Sequence, residues 1–128
     1  DGTIAAIERF RAHGRVVLIA GGTDKALEFA ALARTIAKRI PMSNLILLDG
    51  SATAKLRTAL GEASVHPPAA YTTLSECVDA AFTVARASAE KTTIVFTPGA
   101  ASFEKFLHEF DRGKKFTRLA LRALAKRA

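Results

Sequence analysis

Residues 92–113, TTIVFTPGAASFEKFLHEFDRG, decide how the chain folds. The β-branched and apolar run Thr92-Thr93-Ile94-Val95-Phe96 stops at Thr97-Pro98-Gly99. Ala100-Ala101-Ser102 follow, and then Phe103, Phe106, Leu107 and Phe110 recur at helical spacing. The pattern predicts a strand, a tight turn and a helix. Pro98 ends the strand because it brings no N–H to a ladder. Gly99 and the alanines keep the turn free of bulk, and Ser102 stands where an N-cap belongs. Small residues, a hydroxyl and free backbone N–H groups at the positive end of a helix suit an anion such as a carboxylate. A strand–helix corner with ordinary capping uses the same residues, so both readings stay open at this point.

Working outward, the same unit recurs. Residues 3–13 place Ile4, Ile7 and Phe10 on one helical face, and Gly14 ends that helix. Whatever precedes this helix in a parent protein is expected to lie outside this sequence. Residues 15–20, RVVLIA, are a continuous apolar run, the mark of a strand buried on both faces. Gly21-Gly22-Thr23-Asp24-Lys25 makes a turn, and residues 25–40 read as an amphipathic helix stopped by Pro41. Residues 43–48 give a second buried strand, and Asp49-Gly50 a turn. Ser51 or Thr53 is expected to cap a short helix through Leu60, with Gly61 beyond its end. Ala69-Ala70-Tyr71 reads as a short edge strand. Thr73-Leu74-Ser75-Glu76 has capping-box spacing and opens a helix to about residue 89, with Val78, Ala81, Phe82 and Ala85 inward. A last helix is expected from about Lys114, with Phe116, Leu119, Ala120, Ala123 and Leu124 inward.

Alternating buried strands and helices predict an α/β domain with a Rossmann-like, open, mostly parallel sheet and helices on both faces. The 128 residues fit one domain, 1–128. Ligands of such sheets bind beyond the carboxyl ends of the strands. A parallel sheet would bring the turns at residues 21–25 and 97–102 to one edge.

Composition narrows the function classes. No apolar run approaches the roughly 18 residues of a membrane span, which argues against a membrane partner. The single Cys77 cannot form an internal disulfide, in keeping with a cytoplasmic location, and lies among apolar residues as a core side chain. The net charge is +7. Seven of the 19 basic residues fall from Arg112 onward with no acidic one, so the rest of the chain is balanced. A basic terminal helix of this kind fits either a solvated face or a module for nucleic acid or an acidic partner. With one Tyr, no Trp and no aromatics interleaved with the cations, base stacking finds little support.

Other chemistry is weakly represented. The first turn has two adjacent glycines rather than the spaced three of a dinucleotide fingerprint, and it lacks the first glycine of a phosphate loop. His13, His66 and His108 show no metal-ligand spacing. Ser102 has no His or Asp partner in the pattern, and Cys77 no activating basic neighbour. No catalytic and no metal-binding residue is assigned. Lys25, opening the expected helix against its dipole, reads either as an ammonium held over an anion or as a solvated neighbour of Asp24.

Together the two turns resemble the C-terminal domain of the UDP-N-acetylmuramoylalanine–D-glutamate ligases, the MurD branch of the Mur ligases. The resemblance rests on Ala20-Gly21-Gly22-Thr23-Asp24-Lys25 and Thr97-Pro98-Gly99-Ala100-Ala101-Ser102-Phe103. Phe106, Glu109-Phe110-Asp111-Arg112-Gly113 and Phe116 extend it over essentially the whole chain. It implies an ATP-dependent ligase of peptidoglycan synthesis, serving the cell wall, cell shape and cell division. Such an enzyme adds D-glutamate to UDP-N-acetylmuramoyl-L-alanine through an acyl phosphate, with Mg2+, in the cytoplasm. The family has an N-terminal UDP-sugar domain, a central ATP domain and a C-terminal amino-acid domain. Its glutamate-binding lysine and serine correspond to Lys25 and Ser102, with the N–H of Phe103 beside the serine and Phe110 as the nearest match for a pocket aromatic.

This sequence departs from a whole ligase in having no phosphate loop, no carboxylate cluster for Mg2+ and no uridine site. The expectation is therefore a fragment, inactive alone, with neither ATP nor Mg2+ bound to it.

Overall fold

The computed structural model describes residues 2–21, 28–96 and 119–123. Helix α1 (Gly2–Arg11) precedes strand β1 (Arg15–Gly21), and α2 (Phe29–Arg39) leads through a 3-10 turn (Met42–Asn44) to β2 (Leu45–Leu48). Then come α3 (Ser51–Glu62), β3 (Ala70–Tyr71), α4 (Leu74–Arg86), β4 (Thr92–Phe96) and β5 (Leu119–Ala123). The five strands form one sheet in the order β3-β2-β1-β4-β5, and every pairing is parallel.

The sheet is covered on both faces, which is why its strands carry apolar runs rather than alternation with polar residues. Val16, Leu18, Ala20, Leu45, Leu47 and Val95 point to one side, where Ile7 of α1, Leu32 and Ile36 of α2, and Leu56 and Leu60 of α3 pack on them. Val17, Ile19, Ile46, Ile94 and Phe96 point to the other, against Cys77, Val78, Ala81 and Phe82 of α4. This odd–even division within β1 is the two-residue period of a strand. Truncating a fully buried side chain such as Leu18 or Phe82 to alanine costs about 2–5 kcal/mol.

Helix ends follow local chemistry. Thr73 Oγ1 accepts from Glu76 N at 3.1 Å while Glu76 Oε1 accepts from Thr73 N at 3.2 Å, the expected capping box. Helix α3 departs from expectation at both ends. Its N-cap is Gly50, so neither Ser51 nor Thr53 occupies that position, and Gly61 lies inside the helix. The stop comes at Ser64, which takes φ +65°. Ser64 N donates to Gly61 O and Val65 N to Leu60 O, at 3.0 and 2.8 Å, a Schellman closure with serine in the place usual for glycine. Helix α2 starts at Phe29 with Glu28 as N-cap, later than the expected residue 25, and α1 and α4 end two to three residues early.

The larger correction concerns the end of the chain. Residues 119–123 form a strand paired with β4, from Thr92↔Leu119 to Phe96↔Ala123, and not part of a last helix. Leucine, alanine and arginine favour helices, but β4 is buried at all five positions, and its buried backbone N–H and C=O groups need ladder partners on that side, which residues 119–123 supply. Sheet pairing overrides propensity here. The remainder of the expected last helix, and the expected helix over 103–110, lie outside the described residues.

Candidate functional site

The strand order fixes where a site can form. From β1 the chain steps outward to β2 and β3 on one side, then returns to β4 on the other side of β1. The topological switch point therefore lies between β1 and β4, and the crevice beyond their carboxyl ends is where open α/β sheets place ligands. Ile19 pairs with Phe96, so the chain leaves β4 beside the last two residues of β1. Both turns singled out in the sequence depart from this edge, one after Gly21 and one after Phe96.

Gly21 is the one predicted site residue within the described segments. It is buried, has φ +112°, and pairs with Leu48 of β2. A Cβ there would run into Thr53 Oγ1 and the Leu48 carbonyl oxygen. Only glycine meets both demands, a left-handed φ and the close approach. Gly22, Thr23, Asp24, Lys25, Gly99, Ser102, Phe103 and Phe110 lie outside the described residues. Helix α2 begins at Phe29, with Glu28 as N-cap, and not at Lys25 as expected, so Lys25 does not open that helix against its dipole.

The rest of this edge is held by structural bonds. Beyond β2, Asp49 N donates to Tyr71 O at 2.8 Å, and Asp49 Oδ1 accepts from Gly50 N at 3.1 Å. Glu76 Oε1 also accepts from Thr72 N at 3.2 Å. Its bond to the Thr73 backbone, first among several at this cap, holds the Glu76 carboxyl below its ordinary pKa. Thr53 was expected only as a possible cap. It is instead 2% exposed, and its hydroxyl donates to the Leu48 carbonyl. A threonine among the apolar positions Ala52, Leu56 and Leu60 was the available signal.

Nucleophile and metal chemistry find no footing among the described residues. Cys77 is fully buried, its Sγ lies 3.6 Å from the Leu47 carbonyl oxygen, and burial, with Glu76 nearby, pushes its pKa up to about 12. His13 and His66 are exposed on separate loops. No group of three or more His, Cys, Asp or Glu among the described residues could hold a metal ion. No helix among them is long and apolar enough to cross a membrane.

Comparison with known proteins places this edge in a family context. No protein-family model and no solved structure matches the chain. Curated proteins do. The UDP-N-acetylmuramoylalanine–D-glutamate ligase of Treponema pallidum is 43% identical over 116 residues, 91% of this chain and 20% of that protein. The ligase of the same name from Roseiflexus sp. is 40% identical over 93% of the chain and 24% of its own length. That of Borreliella afzelii is 33% identical over 93% and 25%. The chain thus spans a fifth to a quarter of the length of the curated relatives it matches. A span of nine-tenths of the chain takes in both turns. The resemblance drawn from those turns therefore holds along the sequence, and the chain is a relative of the UDP-N-acetylmuramoylalanine–D-glutamate ligases, matched over a domain-sized portion of them.

Proposed function

We propose that residues 1–128 are the C-terminal, amino-acid-binding domain of a ligase that joins D-glutamate to UDP-N-acetylmuramoyl-L-alanine in peptidoglycan synthesis. One observation carries the reading. The two family motifs leave neighbouring parallel strands at a topological switch point, so residues 77 positions apart in sequence can share one ligand. Lys25 holds one glutamate carboxylate through its ammonium. Ser102 and the N–H of Phe103 hold the other, and Phe110 lines the pocket. Gly21, Gly22, Thr23, Asp24 and Gly99 shape the two turns.

The chemistry of this domain is orientation. Fixing both carboxylates leaves the glutamate amine directed at an activated carboxyl presented by the remainder of the enzyme. ATP and Mg2+ belong to that remainder. The sequence has no phosphate loop, and no carboxylate cluster that could hold a metal ion stands among the described residues. The partners are the N-terminal and central domains of the same parent, acting in the cytoplasm in support of cell shape and division. A basic last helix serving nucleic acid loses its premise at residues 119–123, which are a strand.

The test is steady-state kinetics of the full-length ligase with glutamate and ATP varied separately. Lys25→Ala removes a charge-assisted bond of about 1.5–3 kcal/mol and should raise the glutamate KM by about one to two decades while sparing that for ATP. Ser102→Ala should cost about 0.5–1.5 kcal/mol. An unchanged glutamate dependence in Lys25→Ala would remove the reading.

A further inference from the structure

We propose that Thr53 is a positioning residue for the glutamate site, acting through Gly21; the inference rests on the role assigned to Lys25. Three segments meet at this point: the end of β1, the end of β2 and the first turn of α3. Gly21 and Leu48 are paired across the sheet. The Thr53 hydroxyl donates to the Leu48 carbonyl, and Thr53 N donates to Gly50 O at 3.1 Å. Thr53 thereby ties the start of α3 to the last residue of β2.

Its Oγ1 is also one of the two atoms that a Cβ at Gly21 would strike, the other being the oxygen it bonds. The hydroxyl and the carbonyl together form the wall against which the backbone of Gly21 lies at φ +112°. Gly21 is the last residue of β1 and comes four positions before Lys25. The backbone conformation of Gly21, where the chain leaves β1, is therefore braced by a contact that Thr53 makes and holds in place.

A buried hydroxyl in the apolar stripe of α3 is costly unless it is bonded, and helix packing alone would be served by an aliphatic side chain. The bond to Leu48 supplies the partner, and the contact with Gly21 gives the hydroxyl a consequence at the site. Displacement of an exit strand by a fraction of an ångström suffices to weaken a charge-assisted contact, whose strength depends on distance and alignment.

The experiment compares Thr53→Val, which keeps the shape and loses the hydroxyl, with Thr53→Ser, which keeps the hydroxyl, in the full-length ligase. Valine is expected to raise the glutamate KM by up to about tenfold, the worth of the one buried hydrogen bond setting the upper bound, with kcat at saturation and the ATP KM unchanged. Serine is expected to restore the wild-type glutamate KM. In a Lys25→Ala background, Thr53→Val is expected to add nothing, because its effect passes through the turn that bears Lys25. If valine does not give folded protein, Thr53→Ala goes through the same measurements. The proposal is overturned if Lys25→Ala raises the glutamate KM and the Thr53 variants leave it alone, if the two effects simply multiply, or if serine fails to rescue. If Lys25→Ala itself leaves that KM unchanged, the glutamate-site reading has failed, and this inference with it.

Discussion

Replacing Gly21 with alanine sets two costs against almost no gain. The residue must keep φ near +112°, a conformation alanine adopts only under strain of about 1–2 kcal/mol. The new methyl must also share space with Thr53 Oγ1 and the Leu48 oxygen. Neither neighbour is free to yield, since one is backbone of a strand paired on both sides and the other is hydrogen-bonded to it. Overpacking of this kind costs about 1–3 kcal/mol. The local backbone is expected to share the two strains, for a net loss of about 2–4 kcal/mol. A chain of 128 residues loses roughly 3–4 °C of Tm per kcal/mol, so the melt should fall by about 7–15 °C. Gly61→Ala is the matched control. Gly61 is helical and a Cβ there meets nothing within 4 Å, so alanine should raise stability by about 0.5–1 kcal/mol. Circular-dichroism melts of the wild type and both variants decide the matter. A Gly21→Ala melt within about 2 °C of wild type, or one no different in sign from Gly61→Ala, would refute the packing argument at this edge.

Cys77, with its pKa raised to about 12, should resist a thiol reagent at pH 8 and react at the rate of global unfolding. Because the folded pKa lies above the unfolded value near 9, its contribution to stability is fully present below pH 9 and fades as pH rises toward 12. Thr73→Ala should cost about 0.5–2 kcal/mol by removing the side-chain half of the capping box, measured by denaturant midpoint. The Glu76 carboxyl has its folded pKa lowered, so its stabilising effect is present above its unfolded pKa and is lost as pH falls through the folded one. A pH titration of wild type against Glu76→Gln should show the two midpoints converging in acid.

Much of this was legible because each signal had a physical cause with few alternatives. Continuous apolar runs at 15–20 and 92–96 can be buried only in a sheet covered on both faces, and both are central strands. The spacing of Thr73 and Glu76 has one common use, and they use it. The failures came where two causes competed. Residues 119–123, LALRA, satisfy helical and strand periods alike over so short a run, and composition favoured the helix. What decided it was pairing with β4, a tertiary fact that no window of sequence contains. Gly61 looked like a helix stop, but the left-handed position fell three residues later on Ser64, where the Schellman bonds hold it. Of the candidate site, the expected parallel sheet implied that the ends of the two strands preceding the turns would share an edge, and β1 and β4 do; the turns themselves lie outside the described residues. The contacts of Thr53 were hidden, because they reach the end of β2 and a glycine 32 positions earlier.

In the proposed function the turns after β1 and β4 form one clamp for the two carboxylates of glutamate. The most direct test is an experimental structure of the full-length ligase with D-glutamate bound. The amino acid is expected beyond the carboxyl ends of β1 and β4. One carboxylate should lie about 3 Å from Lys25 Nζ, and the other at a similar distance from Ser102 Oγ and the N–H of Phe103. Glutamate bound at another face of the domain, or Lys25 and Ser102 at opposite edges of the sheet, would contradict it.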